Sequence, residues 1–103
     1  MSAPGQFVVD GTTGDVLTIA APAAPAYIAI TALELTVSAT STVTLKSAST
    51  VIDKAYLGTG NSYSREGDVG IPVLKCDPGE AFVIGNTAGT IAGAGVYAVM
   101  GAG

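Results

Sequence analysis

Histidine and tryptophan are absent from this chain of 103 residues, cysteine occurs once, and only four side chains are basic. Lacking histidine, the chain has no residue of the kind that most often serves as general base or activates a nucleophile. The lone Cys76 cannot form an intrachain disulfide, and a thiol with no histidine or second cysteine builds no zinc site. An activated thiolate needs a cation beside it. Lys75 is the neighbour in sequence, but consecutive strand residues point to opposite faces, so Cys76 reads as a small buried residue. A fold without oxidative staples suits assembly in a reducing cytoplasm. The four basic residues, Lys46, Lys54, Arg65 and Lys75, are scattered. Phosphate-backbone binding needs several on one face, which argues against a nucleic-acid partner. Long apolar runs are missing too. The most apolar stretch, Ile19 to Ile30, contains Pro22 and Pro25, which would break a membrane-spanning helix. No basic region followed by an apolar run opens the chain, so no secretory signal is expected.

What is present is apolar and poor in charge: 49% of residues are hydrophobic and 12% are charged, about half the usual share of charge. Interface cores are depleted in charge. The composition therefore leads to the expectation that neighbouring copies cover much of the surface, rather than that the surface is simply rich in Thr, Ser, Ala and Gly.

Turn signals recur about every 8–12 residues, the pattern of an antiparallel β-sandwich or barrel, and no segment keeps a 3.6-residue period over three turns. Residues 1–14 read as an arm or hairpin, with short strands at Gln6–Val9 and Asp15–Ala20 around the turn Asp10-Gly-Thr-Thr-Gly14. Residues 15–103 read as one sandwich domain. Leu33-Glu-Leu-Thr-Val37 alternates strictly, which turns Leu33, Leu35 and Val37 inward. Ile28 and Ile30 have the other parity, and a bulge near Thr31 or Ala32 would reconcile them. Val43 and Leu45 point inward in the next strand. Thr50–Leu57 has no clean parity. Ile71–Lys75 is a short strand interrupted by Pro72. Asp77-Pro78-Gly79 suits a type II turn. Two more strands follow at Glu80–Gly85 and Thr90–Met100, the last apolar on both faces.

Carboxylates could replace histidine chemistry, as in glycosidases, but Asp10, Asp15, Glu66, Asp68, Asp77 and Glu80 sit in or beside turns. The segment Asp10–Asp15 has too few carboxylates for calcium, which takes six to eight oxygens. Gly93-Ala-Gly95 and Gly58-Thr-Gly60 lack the following helix of a dinucleotide fingerprint. No catalytic, cofactor-binding or metal residues are assigned, and the chain is expected not to be an enzyme.

Thr42-Val-Thr-Leu-Lys-Ser-Ala-Ser-Thr-Val-Ile52 resembles a segment of small virion proteins of tailed bacteriophages. So do Ile71-Pro-Val-Leu74, Pro78-Gly-Glu-Ala-Phe-Val-Ile-Gly-Asn86 and Gly95-Val-Tyr-Ala-Val-Met100. The resemblance spans about Ile28 to Met100 and departs from those proteins in the polar stretch Asn61 to Asp68. It implies a compact sandwich or jelly-roll-like fold and a place on the capsid surface, with assembly in the host cytoplasm. Such proteins are often decoration or cement proteins, trimers that clamp the major capsid protein.

The expected function is therefore capsid decoration by a homo-oligomer, a trimer in the first instance, with no nucleic acid, membrane or cofactor involved. Candidate self-association residues are Phe82, Ile84, Val96, Tyr97, Val99 and Met100. Gln6, Phe7, Val8 and Val9 are candidate arm residues against the shell. The alternative is a receptor- or carbohydrate-binding module of a head fibre or tail, with a surface cluster of Tyr56, Asn61 and Tyr63.

Overall fold

The computed structural model describes residues 3–67 and 72–101. The chain is all-β, and its described residues form nine strands: Ala3–Gly11 (β1), Gly14–Ile19 (β2), Tyr27–Val37 (β3), Ser41–Ser47 (β4), Thr50–Leu57 (β5), Ser62–Glu66 (β6), Leu74–Lys75 (β7), Phe82–Asn86 (β8) and Ile91–Met100 (β9). One antiparallel sheet runs β1-β9-β3-β6, with the short β7 also on β3. The other runs β2-β8-β4-β5. The chain changes sheet at most of its connections, and first and last strands pair. This is the wiring of an eight-stranded jelly roll, with β7 as an addition.

Residues 3–14 are thus neither a free arm nor half of a hairpin. β1 pairs with β9 in the first sheet, from Ala3↔Val99 to Gly11↔Ile91. β2 pairs with β8 in the second. The turn between them carries the chain across the sandwich. Gly11 is where they touch, because a Cβ there would lie 2.8 Å from Val16 Cγ1.

The core follows from the alternation in sequence. Leu33, Leu35, Val37, Val43 and Leu45 are buried, and so are Ile28 and Ile30 on the other parity. The register of β3 on β9 shifts between Ile30 and Ala32, so a bulge at Thr31 lets both halves of β3 face inward. A second shift, on β5 opposite Leu45 and Lys46, resolves the parity of Thr50–Leu57. Val51, Lys54 and Tyr56 stay on the outer face, while the half-buried Ile52 and Asp53 and the buried Ala55 turn in. In the core, Phe7 lies between Phe82 and Tyr97, with ring centroids 6.3 Å from each. Gly95 makes room for that ring: a Cβ on it would overlap Phe7 and lie 2.7 Å from the Ala32 carbonyl oxygen. The Asp77–Glu80 turn closes as expected, with Glu80 N–H donating to Asp77 O at 3.2 Å and Gly79 at a φ of 74°. Ile71 and Asp68 lie outside the described residues.

Candidate functional site

Each sheet has one face in the core and one face outside, so strand parity decides what the molecule presents. On the first sheet the outward rows run Gln6–Val96–Ala32–Glu66, Val8–Ala94–Glu34–Ser64 and Asp10–Ala92–Thr36–Ser62. Ala32, Ala92 and Ala94 are too small to rise above the backbone. Ala32 and Ala94 floor a shallow trough of about 530 Å³, bordered by Val8 on one side and by Glu34, Ser64, Arg65 and Glu66 on the other. Val8 is 73% exposed. Glu34 and Glu66 outnumber Arg65 along the trough, and Asp10 adds a carboxylate on the next outward row. Lys75 belongs to the same outer face but sits beside Ala29, at the far end of β3.

The outward face of the second sheet is of opposite character. Its rows are Asp15–Gly85–Thr44–Lys54 and Thr18–Val83–Lys46–Val51, with Thr42–Tyr56 beyond. Tyr56 is 77% exposed and Val51 47%. Lys54 Nζ stands 5.9 Å from the Tyr56 ring centroid. Lys46 pairs with Asp15 at 3.3 Å.

The ends of the sandwich are sealed by buried polar side chains. At one end Asn86, almost fully enclosed, donates from Nδ2 to the carbonyl oxygens of Thr12 (2.6 Å), Ala88 (3.1 Å) and Gly89 (3.3 Å). Its Oδ1 accepts from the Ser41 hydroxyl. At the other end Ser47 Oγ donates to Glu80 Oε1 (2.6 Å) and accepts from Asp77 N–H (2.9 Å). Cys76 is buried beside it, 4% exposed. Burial in the first place, and the Glu80 and Asp77 carboxylates after it, push its thiol up to about 11, against the opposing pull of the Ser47 hydroxyl.

One lateral opening, between β5 and β6, is closed by a clasp. The Tyr63 hydroxyl donates to Asp53, and Arg65 lies 3.6 Å from the same carboxylate. Burial, then the Asp53 hydrogen bond and charge, hold the Tyr63 phenol well above its usual range. Inward-pointing charged residues on edge strands are a known protection against edge pairing.

Several sequence expectations need correction. Phe82 and Ile84, candidates for self-association, are fully enclosed within one copy and offer a partner nothing. Phe7 and Val9 of the supposed arm are core residues, and only Gln6 and Val8 face outward. Val96, Tyr97, Val99 and Met100 are half-buried. Tyr97 packs on the core, whereas Val96 borders the trough. Tyr56, Asn61 and Tyr63 form no cluster: Tyr56 is on the outer face of one sheet, and Tyr63 points between the sheets to Asp53. Nor does one copy leave a surplus of bulky apolar surface. Among the described residues, the exposed large hydrophobics are Val8, Val51 and Tyr56.

The small-residue trough was missed from sequence, although Ala92-Gly-Ala-Gly95 carries its signal. Alternating Gly and Ala in an apolar strand gives one face little to project and the other nothing at all. Among the described residues, no group of three or more His, Cys, Asp or Glu is placed to hold a metal ion.

No protein-family model and no curated protein matches the chain. Among solved structures, it is similar to a protein from Bacillus endospore appendages, which are described as a novel family of disulfide-linked pili. The likeness covers 95% of this chain and 85% of the other, at 17% identity and a TM-score of 0.50. At that identity it bears on the fold.

Proposed function

We propose that the chain is a structural protein that acts as one of many copies on the surface of a larger particle. Capsid decoration on a tailed bacteriophage is the setting implied by its sequence resemblance. The observation that supports this reading is the pair of opposite sheet faces that carry Val8, Val51 and Tyr56 outward while the interior is closed. Faces of this kind suit contact with another protein: aromatic anchors over small residues form close-packed, water-excluding patches. Many weak contacts across a lattice add up through multivalency.

An appendage protein with a related fold belongs to disulfide-linked pili. In this chain Cys76 is buried, so association between intact copies runs through non-covalent contacts. Light scattering on the purified protein tests the reading. A mass above the 10.1 kDa of one chain, rising with concentration, is expected. A constant mass of one chain, together with no co-sedimentation with shells that lack the protein, refutes it. The carbohydrate-binding alternative loses the tyrosine and asparagine cluster on which it stood.

A further inference from the structure

We propose that the outer face of the β2-β8-β4-β5 sheet of one copy docks into the trough on the β1-β9-β3-β6 sheet of the next, with Tyr56 as the anchor. The proposal rests on the self-association reading above and specifies its geometry. Three observations converge on it. First, the exposed large hydrophobics among the described residues divide between these two faces: Val8 on one, Val51 and Tyr56 on the other. Second, the shapes match. Tyr56 is a protruding ring at 77% exposure, while the opposite face offers an alanine-floored trough of about 530 Å³. That volume admits an aromatic side chain, the residue type enriched at interface anchors.

Third, the charges are complementary. Glu34 and Glu66 outnumber Arg65 along the trough, with Asp10 on the next outward row, whereas Lys46 and Lys54 flank Tyr56 and Val51 and outnumber Asp15, the carboxylate that Lys46 pairs with on that face. Pairing two troughs would bring two net-negative surfaces together, and pairing two Tyr56 faces two net-positive ones. Only the mixed pairing brings opposite signs together, and electrostatic matching selects orientation more than it adds affinity.

The contact is heterologous, since different patches meet. Such interfaces close into a ring only if the two patches are inclined to one another, and otherwise they propagate. Here the patches lie on opposite sides of one sandwich, so copies stack in an open file rather than closing as a trimer.

Complementation between two blocked variants tests this. Ala94→Arg fills the trough and sets a cation where Lys54 would arrive. Tyr56→Glu removes the anchor and sets an anion opposite Glu34. Both positions are exposed, and circular dichroism with a urea midpoint verifies the fold of each variant. Val8→Lys, on the trough rim, replaces Ala94→Arg should that variant not fold.

In sedimentation velocity the wild type is expected to grow past dimer with concentration. Each variant alone should associate at least about tenfold more weakly. An equimolar mixture should stop at a dimer of about 20 kDa, because each copy then has one intact face and the two free faces are both blocked. Raising salt from 0.05 to 0.5 M should weaken the wild-type assembly. If the wild type assembles while the blocked variants assemble equally well, or the mixture does not pair, the proposed contact is wrong and self-association runs through another surface. If the wild type stays at one chain mass at millimolar concentration, both the contact and the self-association fail.

Discussion

Replacing Asn86 with alanine should unfasten one end of the jelly roll. The side chain has two amide protons and one carbonyl oxygen, and all are used. One N–H reaches Thr12 O, the other is shared by Ala88 O and Gly89 O, and the oxygen takes the Ser41 hydroxyl. These partners belong to the β1–β2 and β8–β9 connections and to the first residue of β4, so one amide ties two loops to a strand end. Each buried hydrogen bond is worth about 0.5–1.5 kcal/mol net, and alanine removes three. A loss of about 3 kcal/mol follows, a large share of the roughly 5–15 kcal/mol that holds a domain of this size together. The melting temperature should fall by about 12–24 °C. Urea unfolding followed by far-ultraviolet circular dichroism measures the loss, and an unchanged slope would show that the unfolded state is not responsible. Asn86→Asp sharpens the experiment, because it keeps the shape but turns both donors into an acceptor facing three carbonyl oxygens. Its carboxyl group should bind a proton more tightly folded than unfolded, so the deficit is largest at neutral pH and shrinks as pH falls through the raised folded-state pKa. A stability for Asn86→Ala within 1 kcal/mol of wild type would refute the reasoning, as would an Asn86→Asp deficit that does not vary with pH.

Gly95→Ala should cost more than an exposed-strand substitution, about 1–3 kcal/mol from overpacking, since the new methyl meets the Phe7 ring and the Ala32 carbonyl; urea denaturation measures it. Phe82→Ala should cost about 3–5 kcal/mol through the cavity beside Phe7, read as a fall in the thermal midpoint. Cys76 should resist a disulfide reagent at neutral pH and react at the rate of opening, because its thiol is buried and titrates near 11; rapid stoichiometric labelling of the native protein would contradict this. Cys76 and Tyr63 both have folded pKa values raised above their ordinary 9.0 and 10.0. Their contribution to stability is therefore fully present below pH 9 and is lost as pH climbs through the raised values, so denaturant midpoints should decline from about pH 9 upward.

Much of the fold was legible because half-buried strands announce their inner face by alternation. Leu33, Leu35, Val37, Val43 and Leu45 could be assigned to the core from period-two spacing alone, and the conflict between Ile30 and Leu33 located the bulge at Thr31. The order of strands was not legible. In a jelly roll most pairings join segments far apart in sequence, as in β1 with β9, and local patterning carries no information about them. For the same reason Gln6–Val9 read as part of an arm or hairpin: its partner β9 lies at the far end of the sequence, while β2 is the adjacent strand. β5 was opaque because its bulge hides the parity. The contact faces were the least visible part. An outer face is recognised by what it lacks, and Ala32 and Ala94 become the floor of a trough only when β1, β9, β3 and β6 are side by side.

The placement of the polar side chains is consistent with the proposed contact on the faces rather than on the ends or edges. Asn86 and Ser41 are spent on closing one end, and Ser47, Asp77 and Glu80 on closing the other. Asp53, Tyr63 and Arg65 are spent on the gap between β5 and β6, where they also turn charge inward along both edge strands and discourage a third chain from pairing there. Every buried side-chain nitrogen and oxygen among the described residues has a partner, so these groups hold no unmet hydrogen bond with which to recruit a ligand. The groups left facing solvent without such a structural task are those of the two faces: Val8, Glu34 and Glu66 on one, Val51, Lys54 and Tyr56 on the other. Carboxylates outnumber cations around the trough, and lysines outnumber Asp15 on the opposite face, a distribution consistent with the proposed face-to-face contact.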